Sequence, residues 1–244
     1  MSLWVSLALW VGTATGFQGG GVTGVLRDEG NRPVPRAKVL ACMQKVCLVG
    51  ETAADGRFSF QIDPPVDVVI KTEEQADATP RRGAAVLPVR LREPRLVDVD
   101  AVIVPTLPAG QPFGPGVADP QAVDAGDGLM LTVSRRALKP AAGQAILNVA
   151  ARRLRPAAVR RYPPLDGETI VAVYALHPFG AVSSAAISLR VTSTLPAGTP
   201  VKFRTIDEID GSFSGAVPGR ATGTHVVTDP GHGIGRLTYL VISR

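Results

Sequence analysis

With 244 residues, 45% of them hydrophobic, the chain can bury one large or two modest cores, which excludes disorder of the whole. Its 26 glycines and 21 prolines suit many short strands joined by turns and argue against long helices. A net charge of +5 points to anionic partners, yet only 5% of residues are aromatic, too few for the stacking set of a nucleic-acid binder. The arginines are dispersed. Arg135-Arg136, Arg152-Arg153 and Arg160-Arg161, with Arg155 between the last two, are the densest basic groups of the second half.

Residues 3–11 are apolar apart from Ser6, and small residues follow at Gly12, Ala14 and Gly16. This pattern predicts a secretory signal over residues 1–16 with cleavage near Ala14-Thr15-Gly16, although no Lys or Arg precedes Arg27. The run falls short of the roughly 20 residues that a membrane-crossing helix requires, and no later stretch is long enough without charges. The expected location is therefore periplasmic, secreted or cell-surface, with no transmembrane segment in the mature chain.

Strands are predicted at residues 21–27, 38–43, 46–52 and 58–62, and a last one at 66–72. Asp28-Glu29-Gly30-Asn31 and Ala54-Asp55-Gly56 supply turns, and Pro33 and Pro35 hold an extended arm between them. Phe58, Phe60 and Ile62 alternate with polar residues and should point into a core. Cys42 and Cys47 are separated by Met-Gln-Lys-Val. If those four residues form a hairpin tip, the thiols face each other, and in an exported chain a structural disulfide is favoured over free thiols. Redox or zinc chemistry lacks the required spacing and further ligands.

Gly24-Val25 with Asp28 and Gly30, then Pro33-Val34 with Ala37 and Val39, then Thr52 with Asp55-Gly56, Phe58 and Phe60 form a recognisable pattern. On these residues the segment 20–75 resembles the carboxypeptidase regulatory-like domain, a transthyretin-like β-sandwich of exported and cell-surface proteins. The resemblance implies a non-catalytic first domain over residues 17–75. Arg36 departs from it, since the family usually has glycine before the alanine.

Residues 76–125 read as a linker with one or two strands, at 86–91 and 96–104, whose pattern assigns them to neither sandwich. Four prolines and five glycines make residues 106–128 a long loop. Beyond it strands are predicted at 129–133, 144–154, 169–176, 186–191, 201–206, 224–228 and 236–242, with a short helical turn at 156–161. The expected fold is all-β, two β-sandwich modules of Ig-like or transthyretin-like type joined by the Pro/Gly-rich segment. The strand at 126–133, Ala137-Leu138-Lys139-Pro140, Pro178-Phe179-Gly180, the strand at 186–191 and the turns at 195–201 and 229–234 resemble a ZU-type sandwich of bacterial surface proteins. That resemblance implies protein contacts over residues 126–244, although Arg135-Arg136 stand where the family has proline.

No nucleophile-elbow or zinc-protease motif accompanies His177, His225 or His232. Asp207, Glu208 and Asp210 beside Gly211 lack calcium-loop spacing and read as a solvated turn. The Asp229-Pro230-Gly231-His232-Gly233 segment is not followed by a helix, so it reads as a hairpin turn rather than an anion cradle. The expectation is an exported, non-catalytic structural or protein-binding component of the bacterial envelope, with no catalytic, cofactor or metal residues. The alternatives are a secreted hydrolase using Asp207, Glu208, Asp210 and His232, or a carbohydrate-binding module. The second lacks a tryptophan platform, because Trp4 and Trp10 both fall in the signal.

Overall fold

The computed structural model describes residues 19–44, 46–75, 79–113, 118–141, 148–160, 162, 165 and 167–244. The expected signal, with Trp4 and Trp10, lies outside these residues, as do Asp77, Arg161 and the start of the strand expected from residue 144. The described residues are nearly all β.

The first seven strands are β1 (Gly21–Asp28), β2 (Lys38–Met43), β3 (Val46–Glu51), β4 (Arg57–Gln61), β5 (Val66–Thr72), β6 (Val86–Leu91) and β7 (Leu96–Val104). They make two facing sheets, β4-β1-β7 and β3-β2-β5-β6, and only β1–β7 is parallel among their pairings. Period-2 alternation does the work: Phe58, Phe60 and Ile62 enclose a core with Val39, Val68, Ile70, Leu87 and Leu91. Each such buried side chain contributes about 1.5–3 kcal/mol of transfer free energy. Strands β6 and β7, whose membership the sequence leaves open, thus complete the first sandwich. Met43 and Val46 pair directly, so the pairing of β2 with β3 continues past the two cysteines.

The remaining strands are β8 (Gln111–Pro112), β9 (Gln121–Gly126), β10 (Leu129–Val133), β11 (Leu138–Lys139) and β12 (Asn148–Arg153), then after the helix α1 (Pro156–Val159), β13 (Ile170–His177) and β14 (Ala181–Thr192). The last five are β15 (Pro200–Ile206), β16 (Val217–Ala221), β17 (His225–Thr228), β18 (Ile234–Leu237) and β19 (Tyr239–Ser243). Their sheet runs β8-β12-β13-β19-β15-β16-β17-β14-β10-β9, with β11 and β18 also on β14, around a core of Leu129, Leu131, Tyr174, Leu176, Phe203 and Leu240.

Three expectations need correction. The loop expected over residues 106–128 contains β8 and β9, because Val123 and Ala125 are small yet fully buried and pair with β10. Asp127 and Gly128 connect β9 to β10, both with positive φ (49° and 76°), as a type I′ hairpin turn requires. The strand expected over 236–242 is two, broken at buried Thr238, whose hydroxyl donates to the Ile206 carbonyl at 2.7 Å. Strand β16 has no counterpart among the expected strands, and it forms through Pro218 and Gly219, residue types that weaken strands.

A third apolar cluster welds the two sandwiches. On the outer face of the β3-β2-β5-β6 sheet, Cys42, Val69 and Val86 meet Val173, Ala175, Tyr239 and Val241 of β13 and β19. Tyr162 and Tyr239 stack with centroids 6.0 Å apart, and their hydroxyls donate to the carbonyls of Val86 (2.6 Å) and Ala84 (2.9 Å). Both phenolic groups are pushed up from their ordinary pKa first by burial. They stay protonated and keep donating.

Candidate functional site

Cys42 and Cys47 occupy opposite positions on β2 and β3 and form a disulfide. Cys42 is fully buried in the junction cluster and Cys47 packs against it, so the bond belongs to the weld between sandwiches as well as to its hairpin.

The three histidines fall in separate places. His177 ends β13 and is buried, with its Nδ1 lying 2.8 Å from Glu74 Oε1 and its Nε2 lying 3.2 Å from Arg81 Nη2. A guanidinium only donates, so Nε2 is the acceptor there and is not open to take a proton from a serine. The Glu74 contact is close without the alignment of a hydrogen bond. Arg81 also donates to Asn148 Oδ1 (3.1 Å) and the Ala109 carbonyl (2.7 Å), tying this cluster to β12 and the chain before β8. His225 lies between Arg190 (3.1 Å) and Thr224 (2.8 Å). His232 is exposed in the turn after Asp229, to whose carbonyl its backbone N–H donates.

The acidic turn is likewise committed. Asp207 Oδ1 accepts from the Ile209 N–H, and its Oδ2 accepts from Arg236 at 2.7 Å, beside Glu208 at 3.1 Å from the same guanidinium. Burial raises the Asp207 carboxyl, but the Ile209 and Asp210 amide donors and Arg236 outweigh it and hold it below its ordinary value. It is therefore ionised at neutral pH and no general acid. The turn docks on the first sandwich: Gly211 has φ +72°, and a Cβ there would lie 2.9 Å from Val69 Cγ2. The glycine lets an acidic loop close against an apolar face. Asp229 is held below its ordinary pKa chiefly by hydrogen bonding to Arg220, which donates at 2.8 Å. Among the described residues, no three His, Cys, Asp or Glu side chains gather as metal ligands.

Charge pairs also bridge the sandwiches. Arg152 grips Glu29 through two donors, Nε to Oε1 at 2.9 Å and Nη2 to Oε2 at 2.8 Å, and lies 3.6 Å from Asp127. Hydrogen bonding to Glu29 is the main reason the Arg152 pKa rises further.

Among the described residues, clefts of ligand size open at two places. One, of about 590 Å³, lies where the Asp210–Phe213 loop meets β5 and β6, and is lined by Asp67, Arg90, Arg92 and Asp210 among others. Its charges are of both signs, and Asp67 and Arg92 already pair at 2.6 Å. The other, of about 440 Å³, lies beside α1, with Arg153, Arg155 and Arg160 around Pro156, Val159, Ile170 and Val171. Sequence reasoning missed both as sites. The Arg152-to-Arg161 cluster was the available signal for the second.

No protein-family model matches the chain. No curated protein matches it either. A solved structure of the Streptococcal ancillary pilin aligns over 93% of this chain and 54% of its own, at 10% identity and a TM-score of 0.32. The chain thus spans about half the length of that pilin, and likeness at this level carries no functional argument. Among the described residues, no helix is long and apolar enough to cross a membrane.

Proposed function

We propose that the chain is an exported, non-catalytic, protein-binding component of the bacterial envelope or surface. Its first sandwich is read as a carboxypeptidase regulatory-like module and its second as a ZU-type module. The observation that carries the reading is how the candidate catalytic groups are spent. Asp207 and Glu208 are both held by Arg236, Asp210 accepts from the Ser212 N–H at 2.8 Å, and His232 stands apart in the turn after Asp229. The disulfide supports export, because such bonds persist in oxidising compartments. The backbone of Arg36 supports the first-module resemblance: its φ of 53° is a conformation that favours glycine, which the family carries there.

Fractionation of the native host, with intact-mass and N-terminal analysis and cross-linking in whole cells, tests the reading. The expected product is a processed chain outside the cytoplasm, oxidised at Cys42 and Cys47 and cross-linked to an envelope protein. An unprocessed cytosolic chain with both thiols reduced would overturn export. A hydrolytic activity abolished by Asp207→Asn or His232→Gln in a folded protein would overturn the non-catalytic role.

A further inference from the structure

The cleft beside α1 is a basic ring around an apolar floor. Strand β12 delivers Arg153 to its end, and the chain then runs through Arg155 and the one-turn helix to Arg160. All three arginines are exposed and line the cleft, while Val159, Ile170 and Val171 are half-buried beneath them. Neighbouring Arg152 shows what a satisfied arginine looks like here, with two bonds to Glu29. By contrast, none of Arg153, Arg155 and Arg160 has a carboxylate partner for its guanidinium among the described residues. Three like charges held around one concavity repel one another and concentrate positive potential there.

We propose that this cleft binds an acidic polypeptide segment in which two or more carboxylates flank an aliphatic or aromatic side chain. The guanidinium fork matches carboxylates in pairs, and the concave apolar floor takes a single inserted side chain. A polyanion without an apolar part leaves the floor wet. A membrane meets a recess poorly, since lipid binding needs protruding apolar residues. The cleft volume of about 440 Å³ suits a side chain with its flanking backbone. The proposal rests on the protein-binding reading above and gives it a surface.

The test is fluorescence anisotropy of the full chain with four labelled probes. These are the peptide Glu-Glu-Leu-Phe-Glu-Asp, the same peptide with Gly-Gly replacing Leu-Phe, a phosphoserine peptide without carboxylates, and phosphatidylglycerol vesicles. The first peptide should bind best. The Arg155→Glu/Arg160→Glu variant should weaken it about tenfold or more, Val159→Ser about threefold to tenfold, and Arg90→Glu in the other cleft less than twofold. Circular dichroism of each variant separates lost binding from lost fold, and Arg155→Gln/Arg160→Gln serves where charge reversal unfolds the chain. Equal binding of the Gly-Gly peptide, preference for the phosphopeptide or vesicles, or no effect of either arginine pair would overturn the proposal. An envelope protein cross-linked equally by wild type and the arginine variant would leave the surface role standing and sink this cleft alone.

Discussion

Glu168 gathers donors from two strands. Its carboxylate accepts from Lys202 (2.6 Å) and from both terminal nitrogens of Arg204 (2.6 and 2.9 Å) on β15, and from the Ser243 hydroxyl (2.7 Å) on β19. Those bonds, Arg204's first, hold its pKa down at about 2. In the unfolded chain it returns to about 4.3, so between roughly pH 4.5 and pH 2 only the unfolded state takes up this proton. The sign follows: the contribution is complete above the unfolded value and is lost as pH falls through the folded one. Glu168→Gln should cost about 1–2 kcal/mol at pH 7, where Lys202 and Arg204 lose their charged acceptor, and less at pH 3. Urea denaturation at both values reads this, and an equal loss at pH 7 and pH 3 would show that the charge is not what matters.

Among elements, the turn between β1 and β2 shows what the chain encodes locally. Arg36 holds φ 53° with its side chain exposed, while its N–H donates to the Thr52 carbonyl at 3.0 Å. An L-residue in that region costs about 1–2 kcal/mol, partly offset for glycine by its freer unfolded state. Arg36→Gly should therefore raise stability by about 0.5 kcal/mol in urea titration, and Arg36→Ala should not. A destabilised glycine variant would mean that the arginine makes a compensating contact. Much of the first sandwich was legible for this reason: turn residues and alternating apolar residues repeat within short windows, and β2, β5, β6 and β7 fall at their expected bounds. Strand β9 was not, because Ala122, Val123 and Ala125 present too little apolar surface to stand out, and only Asp127-Gly128 marks the hairpin. The arginine cleft was visible as a charge cluster, but Ile170 and Val171 of its floor come from β13, which no local window joins to α1.

At the scale of the whole molecule, the sequence carried a signal that one-sided alternation hides. Val68-Val69-Ile70 in β5, the run from Ile170 to Leu176 in β13 and Tyr239-Leu240-Val241-Ile242 in β19 are apolar at both parities, the mark of strands buried on both faces. One parity fills a sandwich core and the other fills the junction, where Val69, Val173 and Val241 are each fully buried. The Tyr162 and Tyr239 hydroxyls and the Arg152–Glu29 pair close the polar edges of that layer. A large apolar interface suppresses relative motion of the two units, so they should unfold together. Calorimetry of the native chain should show one transition with matching calorimetric and van't Hoff enthalpies. Val69→Asp puts a carboxylate into the junction layer while leaving Val68 and Ile70 to fill the first core. An unpaired buried charge costs several kcal/mol, enough to undock the units without emptying either core. That variant should split the endotherm into two, each closer to the unfolding of one sandwich. Two transitions in the wild type would show that the junction does not couple the sandwiches, and a single lowered one in Val69→Asp with no split would show that the coupling does not depend on Val69.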